Sequence, residues 1–348
     1  MINEPGSNSL PGTSLQSRTL MELLQATFAI YRDNLVAYLI LSAVVVIPIT
    51  VISTLFGDSL LNAVTYVGDT PTFDPAFVNQ ICLFSIVVLV LTVVQTAILN
   101  CVVTHMTSEA QFGRKLTLVQ AWNESSPLIS KLVGANLIFF MVVFALAFAS
   151  TLAISLCPLL VPIFAFTIYL STAVNAFLAP VITLERTSAT TSVVRSYYLG
   201  KSVFWRIFAL SLSLALITLL FQLVIDAVVG LSGAAGSGAA TSLGVSTLAG
   251  ILVSIITTVL VPIAMTLLYY DARIRRENLL AELKSVGADA RPLHVPVPPN
   301  MPPLINNQDI MNIVGLIVFV VVLMLFLGGT ASALLNLLVP GLGGIPTG

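Results

Sequence analysis

Charge is what this chain has least of. Only 8% of its 348 residues are Asp, Glu, Lys or Arg, against about 25% in a soluble domain, so most of the chain does not face water. The net charge of -1 offers no basic balance for a nucleic-acid partner, and none is expected. Histidine occurs twice and cysteine three times. His105 closes an apolar run and His294 sits among prolines, and neither has ligand spacing for a metal. Cys82, Cys101 and Cys157 are widely separated. They read as small apolar residues in helices, with a Cys82–Cys157 disulfide as the alternative. No Gly-rich phosphate loop is present, and no Ser or Cys has an evident base beside it. No cofactor, metal or catalytic residue is therefore expected, and the chain reads as a non-enzyme. The polar first 30 residues lack a short apolar core behind a basic start, which predicts no cleavable signal peptide.

What the chain has is long apolar runs. Crossing a bilayer takes about 20 apolar residues. Seven runs reach that length, at 35–56, 80–104, 133–155, 159–180, 204–228, 246–270 and 311–338. The predicted fold is an all-α, multi-pass transmembrane helical bundle. All 14 Lys and Arg fall in segments on one side of these spans, while the loop after the first carries only Asp58, Asp69 and Asp74. The positive-inside rule then places the N-terminus in the cytoplasm and the C-terminus outside a cell membrane.

The organisation divides into four parts. Residues 1–17 read as a disordered tail, 18–285 as a six-span membrane domain, 286–308 as a Pro-rich cytoplasmic linker, and 309–348 as an appended span with a short outer tail. Thr19-Leu20-Met21-Glu22 is a capping-box pattern. Leu20, Leu23, Leu24, Thr27, Phe28 and Tyr31 follow on one helical face. Such a helix can lie in the headgroup layer or pack on the bundle's inner end; the first placement is expected. Thr117 with Gln120 repeats the capping pattern, and residues 181–203 are again amphipathic. Spaced this way, the segments suggest three repeats of one unit, an amphipathic helix followed by two spans. Pro158 and Pro162 are expected to turn spans 3 and 4, and residues 230–238 to form a small-residue outer linker. Tyr269 and Tyr270 fall where an interfacial aromatic belt is expected. Asp271 with Arg275, and Arg273 with Glu277, are spaced to pair along an exposed helical face.

Several short motifs carry a resemblance. Pro180-Val181 with Glu185, Arg195-Ser196, Leu199-Gly200, Phe204-Trp205-Arg206, Tyr270-Asp271-Ala272-Arg273-Ile274-Arg275-Arg276-Glu277 and Tyr31-Arg32-Asp33-Asn34 are spread over residues 18–285. In these the chain resembles the glycerophosphoryl diester phosphodiesterase membrane-domain family. The resemblance implies a multi-pass membrane module. In some members that module precedes a barrel enzyme with a His-Arg-Gly motif. Here His105 is followed by Met106 and His294 by Val295, and the residues after span 6 fall short of the roughly 250 a barrel takes. The module is therefore expected without the catalytic domain.

Six residues are candidates for function. Asp226 is the acidic residue inside a span, where charge is costly and a functional role competes with an ordinary interfacial one. Arg195, Arg206, Asp271, Arg273 and Arg275 gather charge on the cytoplasmic side, where cations attract anionic headgroups but also set topology. The function expected is a non-enzymatic module that organises membrane lipids or a membrane-protein partner, homo-oligomers included. A transporter or permease component is the alternative, with Pro48, Pro180 and Pro262 as possible breaks. A lipid-modifying enzyme ranks third for want of catalytic groups.

Overall fold

The computed structural model describes residues 18–61, 65–67, 70–72, 75–156, 161–234, 239–277, 279 and 305–338. Among these the chain is helical apart from one small hairpin. The elements are α1 (Leu20–Asp33), α2 (Leu35–Leu61), β1 (Thr65–Val67), β2 (Thr70–Thr72), α3 (Pro75–Gln111), α4 (Leu118–Leu156) and α5 (Val161–Glu185). They continue with α6 (Ala189–Ser202), α7 (Phe204–Ala234), α8 (Ala239–Thr257), α9 (Leu260–Glu277) and α10 (Asn307–Leu338). β1 and β2 pair antiparallel, Thr65 opposite Thr72.

Six described helical segments are long and apolar enough to cross a membrane. They match the first six spans read from the sequence, with Thr247–Glu277 running through α8 and α9. The chain is an integral membrane protein of the multi-pass helical type. α10 is 32 residues long, about 48 Å at 1.5 Å per residue.

Local chemistry explains the helix ends. Thr19 caps α1, and the Glu22 side chain accepts a hydrogen bond from the Thr19 backbone, closing the expected capping box. The Thr117 backbone donates to the Gln120 side chain and Gln120 donates back to the Thr117 hydroxyl, at 3.1 and 3.4 Å. α3 stops at a glycine. Gly113 takes φ 73°, and the Gly113 and Arg114 N–H groups return to the Ala110 and Glu109 carbonyls, at 3.0 Å each. That left-handed position favours a residue without Cβ.

The chain divides into two compact units. The larger holds residues 1–140 and 172–297. Within it α2 packs on α3, α7 on α8, and α9 on both α1 and α3. α9 and the C-terminal half of α5 are buried along most of their length. Their Phe177, Val181, Ile263, Leu267 and Tyr269 join Leu23 and Tyr38 in the core. Gly200 of α6 shows how closely two backbones approach: a Cβ there would lie 2.0 Å from the Ala173 carbonyl oxygen.

The second unit holds residues 141–171 and 298–348. Ser150 and Thr167 share a 3.4 Å hydrogen bond between α4 and α5. Asn306 and Asp309 cap α10 reciprocally, at 2.8 and 2.9 Å. The Tyr169 hydroxyl donates to buried Asp309 at 2.5 Å, holding α10 against α5.

Several expectations are corrected. The amphipathic segment before span 3 is not a separate helix, because α4 runs unbroken from Leu118 to Leu156. The predicted linker at 230–238 is helical as far as Ala234, where the small residues are still compatible with helix; 235–238 lie outside the described residues. Pro162 lies within α5 rather than in a turn, while Pro158 and Cys157 lie outside the described residues. Most of loop 57–78 is taken up by the end of α2, the hairpin and the start of α3. α1 packs on the bundle, burying Leu23 and Thr27, yet leaves Met21 and Phe28 exposed.

Candidate functional site

The last two turns of α9 carry a dense group of charged side chains in the larger unit. Residues 269, 271, 273, 275 and 277 all carry polar groups, which on a 3.6-residue helix fan out over more than one face. They meet the C-terminal end of α5, the middle of α6, the first turn of α7 and the segment entering α1.

One cluster is a closed ring of two arginines and two glutamates. Arg195 of α6 forks onto Glu277, with Nη1–Oε1 2.5 Å and Nη2–Oε2 2.7 Å. It also reaches Glu185 at 3.2 and 3.1 Å. Arg273 meets Glu277 at 2.8 Å and Glu185 at 3.5 Å. The Tyr269 hydroxyl donates to Glu185 at 2.7 Å and accepts from Arg273 at 3.2 Å. The Glu185 and Arg273 side chains are fully buried. Forked arginine–carboxylate pairs are among the stronger hydrogen-bonded contacts, and a ring with equal numbers of each sign leaves no buried charge uncompensated. Burial works against the Arg195 charge, but the bonds to Glu277 and Glu185 outweigh it and its pKa lies above the ordinary arginine value.

The second cluster centres on Asp271, whose side chain is 2% exposed. It accepts from Arg206 of α7 and, at 3.0 Å, from Arg275. The Arg18 backbone N–H donates to its other oxygen at 2.8 Å. Arg206 and Arg275 also donate to the Arg18 carbonyl. Asp271 and two arginines thus hold both sides of one backbone unit where the chain enters α1. Burial lowers the Arg18 guanidinium's own pKa, opposed by Asp271 and Glu22. On the flank facing α3, Tyr270 shares a 2.6 Å hydrogen bond with Ser108 and stacks edge-on with Phe112.

Glu185 ends α5, and the turn after it leads into α6 and its Arg195. Arg186 adopts φ 53°, a left-handed conformation costing a non-glycine residue about 1–2 kcal/mol. The turn delivers Ser188 as the cap of α6, its hydroxyl accepting from the Thr191 N–H.

Five of the six sequence candidates, Arg195, Arg206, Asp271, Arg273 and Arg275, are therefore brought together. Their setting corrects two expectations. The Asp271–Arg275 and Arg273–Glu277 pairs do form, but Asp271 and Arg273 are buried, not on an exposed face. Tyr269 and Tyr270 are buried partners of this network, not an interfacial belt. The i,i+4 pattern was legible, but not the opposing helices that cover it. Glu185, Ser108 and Arg18 were missed. A carboxylate ending an apolar span signals that a distant cation must answer it; nothing local identifies which. Asp226 stands apart on α7, exposed, accepting a 2.9 Å hydrogen bond from Gln222 one turn earlier.

A cleft of about 460 Å³ opens between α2, α3 and the start of α4. Leu41, Val45 and Pro48, Val94 and Ile98, and Trp122 line it, with Gln95 as its amide. His105 of α3 pairs with Glu124 of α4 at 2.6 Å. Among the described residues no three His, Cys, Asp or Glu side chains are grouped to hold a metal ion. Cys82 and Cys101 are free thiols. Compared with family models, curated proteins and solved structures, the chain finds no match.

Proposed function

We propose that the protein is a non-enzymatic membrane module that organises lipid around a rigid helical frame. The observation that carries this reading is the cleft between α2, α3 and α4. Its walls are mostly aliphatic, with Trp122 and Gln95 among them, and it lies within spans, where the surrounding solvent is acyl chain rather than water. Its volume is within the usual range of small-molecule sites, about 300–1,000 Å³, and an acyl segment fits its chemistry. The ion-pair network supplies the frame: its arginines are spent on internal carboxylates, joining α5, α6, α7, α9 and the entry to α1. The resemblance to the glycerophosphoryl diester phosphodiesterase membrane domain supports the same reading. So does the one-sided distribution of Lys and Arg, from which we infer a cytoplasmic position for the network at a cell membrane. Filling the cleft tests the proposal. Val45→Trp and Ile98→Trp should yield folded protein that retains less co-purifying lipid; unchanged lipid retention in both would count against it.

A second reading, a transporter or permease component, has one observation in its favour. The sixth span is interrupted between Thr257 and Leu260, two residues before Pro262. Broken spans free backbone groups that can line a path. Below the break Thr266 bonds Thr104 of α3 at 3.3 Å, so this polar surface already joins helices. Asp226→Asn separates the readings: the module keeps its function, whereas complete loss with normal insertion favours transport.

A further inference from the structure

The outward face of α1 forms a second groove, distinct from the cleft. Leu24, Phe28 and Ala29 make its apolar wall, Ile217 of α7 faces them, and Gln25 and Arg32 are its polar groups. The groove encloses about 530 Å³ and is open at the surface. Met21, also on its wall, is 63% exposed, so apolar surface here is left uncovered. Arg32 is the cation of this groove. Its side chain is 80% exposed and its contact with Asp33 is 3.4 Å long, to a carboxylate that is itself 58% exposed. Such an exposed pair holds an arginine weakly. The arginines of the neighbouring network are held by buried carboxylates, Arg195 and Arg273 by Glu185 and Arg206 and Arg275 by Asp271; among the described residues Arg32 pairs only with the exposed carboxylate of its own neighbour. An apolar slot beside a span with a lightly held guanidinium at its rim matches an anionic amphiphile.

We propose that this groove is a binding site for one anionic glycerophospholipid, with the phosphate on Arg32 and Gln25 and an acyl chain along Phe28 and Ile217. The inference rests on the lipid-organising reading but names a different site and a headgroup class. α1 buries Leu23 and Thr27 against the bundle, so the site is fixed to the frame and does not depend on the helix inserting by itself. A basic side chain at a membrane surface favours anionic lipid by roughly fivefold, and forked phosphate geometry makes arginine suited to the task.

The test is native mass spectrometry of the full chain from nanodiscs of equal phosphatidylglycerol and phosphatidylcholine. The wild type should retain phosphatidylglycerol over phosphatidylcholine by about fivefold. Arg32→Gln should abolish that preference without lowering total lipid, Arg32→Lys should keep part of it, and Ile217→Trp should reduce retention of both lipids. Lys131→Gln, at an exposed cation of α4, should change nothing. An unchanged ratio in Arg32→Gln, or an equal loss in Lys131→Gln, overturns this site while leaving the lipid-organising reading in place. Retention of neither lipid by the wild type overturns both.

Discussion

Removing the Arg273 charge should unbalance the buried ring in a way that a second substitution repairs. Glu185, Glu277, Arg195 and Arg273 carry two charges of each sign. Arg273→Met leaves one uncompensated carboxylate beside a side chain with no solvent exposure. Breaking one partner of a buried pair costs about 3–5 kcal/mol. At about 2–4 °C per kcal/mol for domains of 150–250 residues, the melting temperature in detergent should fall by roughly 6–20 °C. Glu185→Gln leaves the opposite excess and should cost a similar amount. The double substitution restores neutrality, and Gln keeps an acceptor for the Tyr269 hydroxyl. It should recover most of the loss, giving strong non-additivity. The assay is thermal unfolding of fluorescently tagged protein followed by size-exclusion chromatography. Single variants that melt within about 2 °C of wild type, or a double variant whose loss equals the sum of the two, would refute the charge-balance argument.

Gly200→Ala should destabilise the protein by at least about 1–3 kcal/mol, as overpacking does, because its Cβ meets the Ala173 carbonyl. Gly134→Ala is the control: its Cβ meets nothing within 4 Å, and alanine's helix preference should leave stability unchanged or higher. Hydrogen bonds from Thr19 hold the Glu22 carboxyl below its ordinary pKa. The α1 cap should therefore be complete above the ordinary carboxylate range and lost as pH falls through the lowered folded value. Protection of the amides at residues 20–23 should fall over that interval, and in Glu22→Ala it should already be low above it. Tyr169→Phe leaves buried Asp309 without its hydroxyl donor and should speed exchange in the first turn of α10, while Tyr66→Phe in the hairpin should not. Reporters fused after Gly287 and after Gly348 should lie on opposite sides of the membrane; the same side for both would remove α10 from the spanning set.

Much of this architecture is legible in the sequence because a bilayer leaves few solutions. Apolar runs of the right length become helices, and a Thr-x-x-Glu before one becomes a cap, as Thr19 and Glu22 do. These are signals within one turn or one span. The ion-pair network is different. Asp271 and Arg275 are spaced to pair wherever the helix goes, so their pairing could be read while their burial could not. Burial depends on Arg206, 65 residues away, and on the backbone of Arg18, 253 residues away. Tyr269 and Tyr270 were misread for the same reason: tyrosine at the end of a span suits an interface equally well as a buried hydrogen bond. The continuity of α4 was hidden because polar residues such as Asn123, Glu124 and Ser125 sit in a helix extending beyond the apolar run. The cleft and the groove arise from gaps between helices, which no single stretch encodes.

Lipid that is held by this protein itself should stay with it through purification. The most direct measurement is gentle native extraction of the tagged full-length chain, followed by mass spectrometry of everything that stays bound. The expected result is a protein carrying a fixed small number of lipid molecules and no stoichiometric protein partner. Recovery without bound lipid, together with a stoichiometric nucleotide hydrolase, would contradict it and identify the chain as a permease subunit.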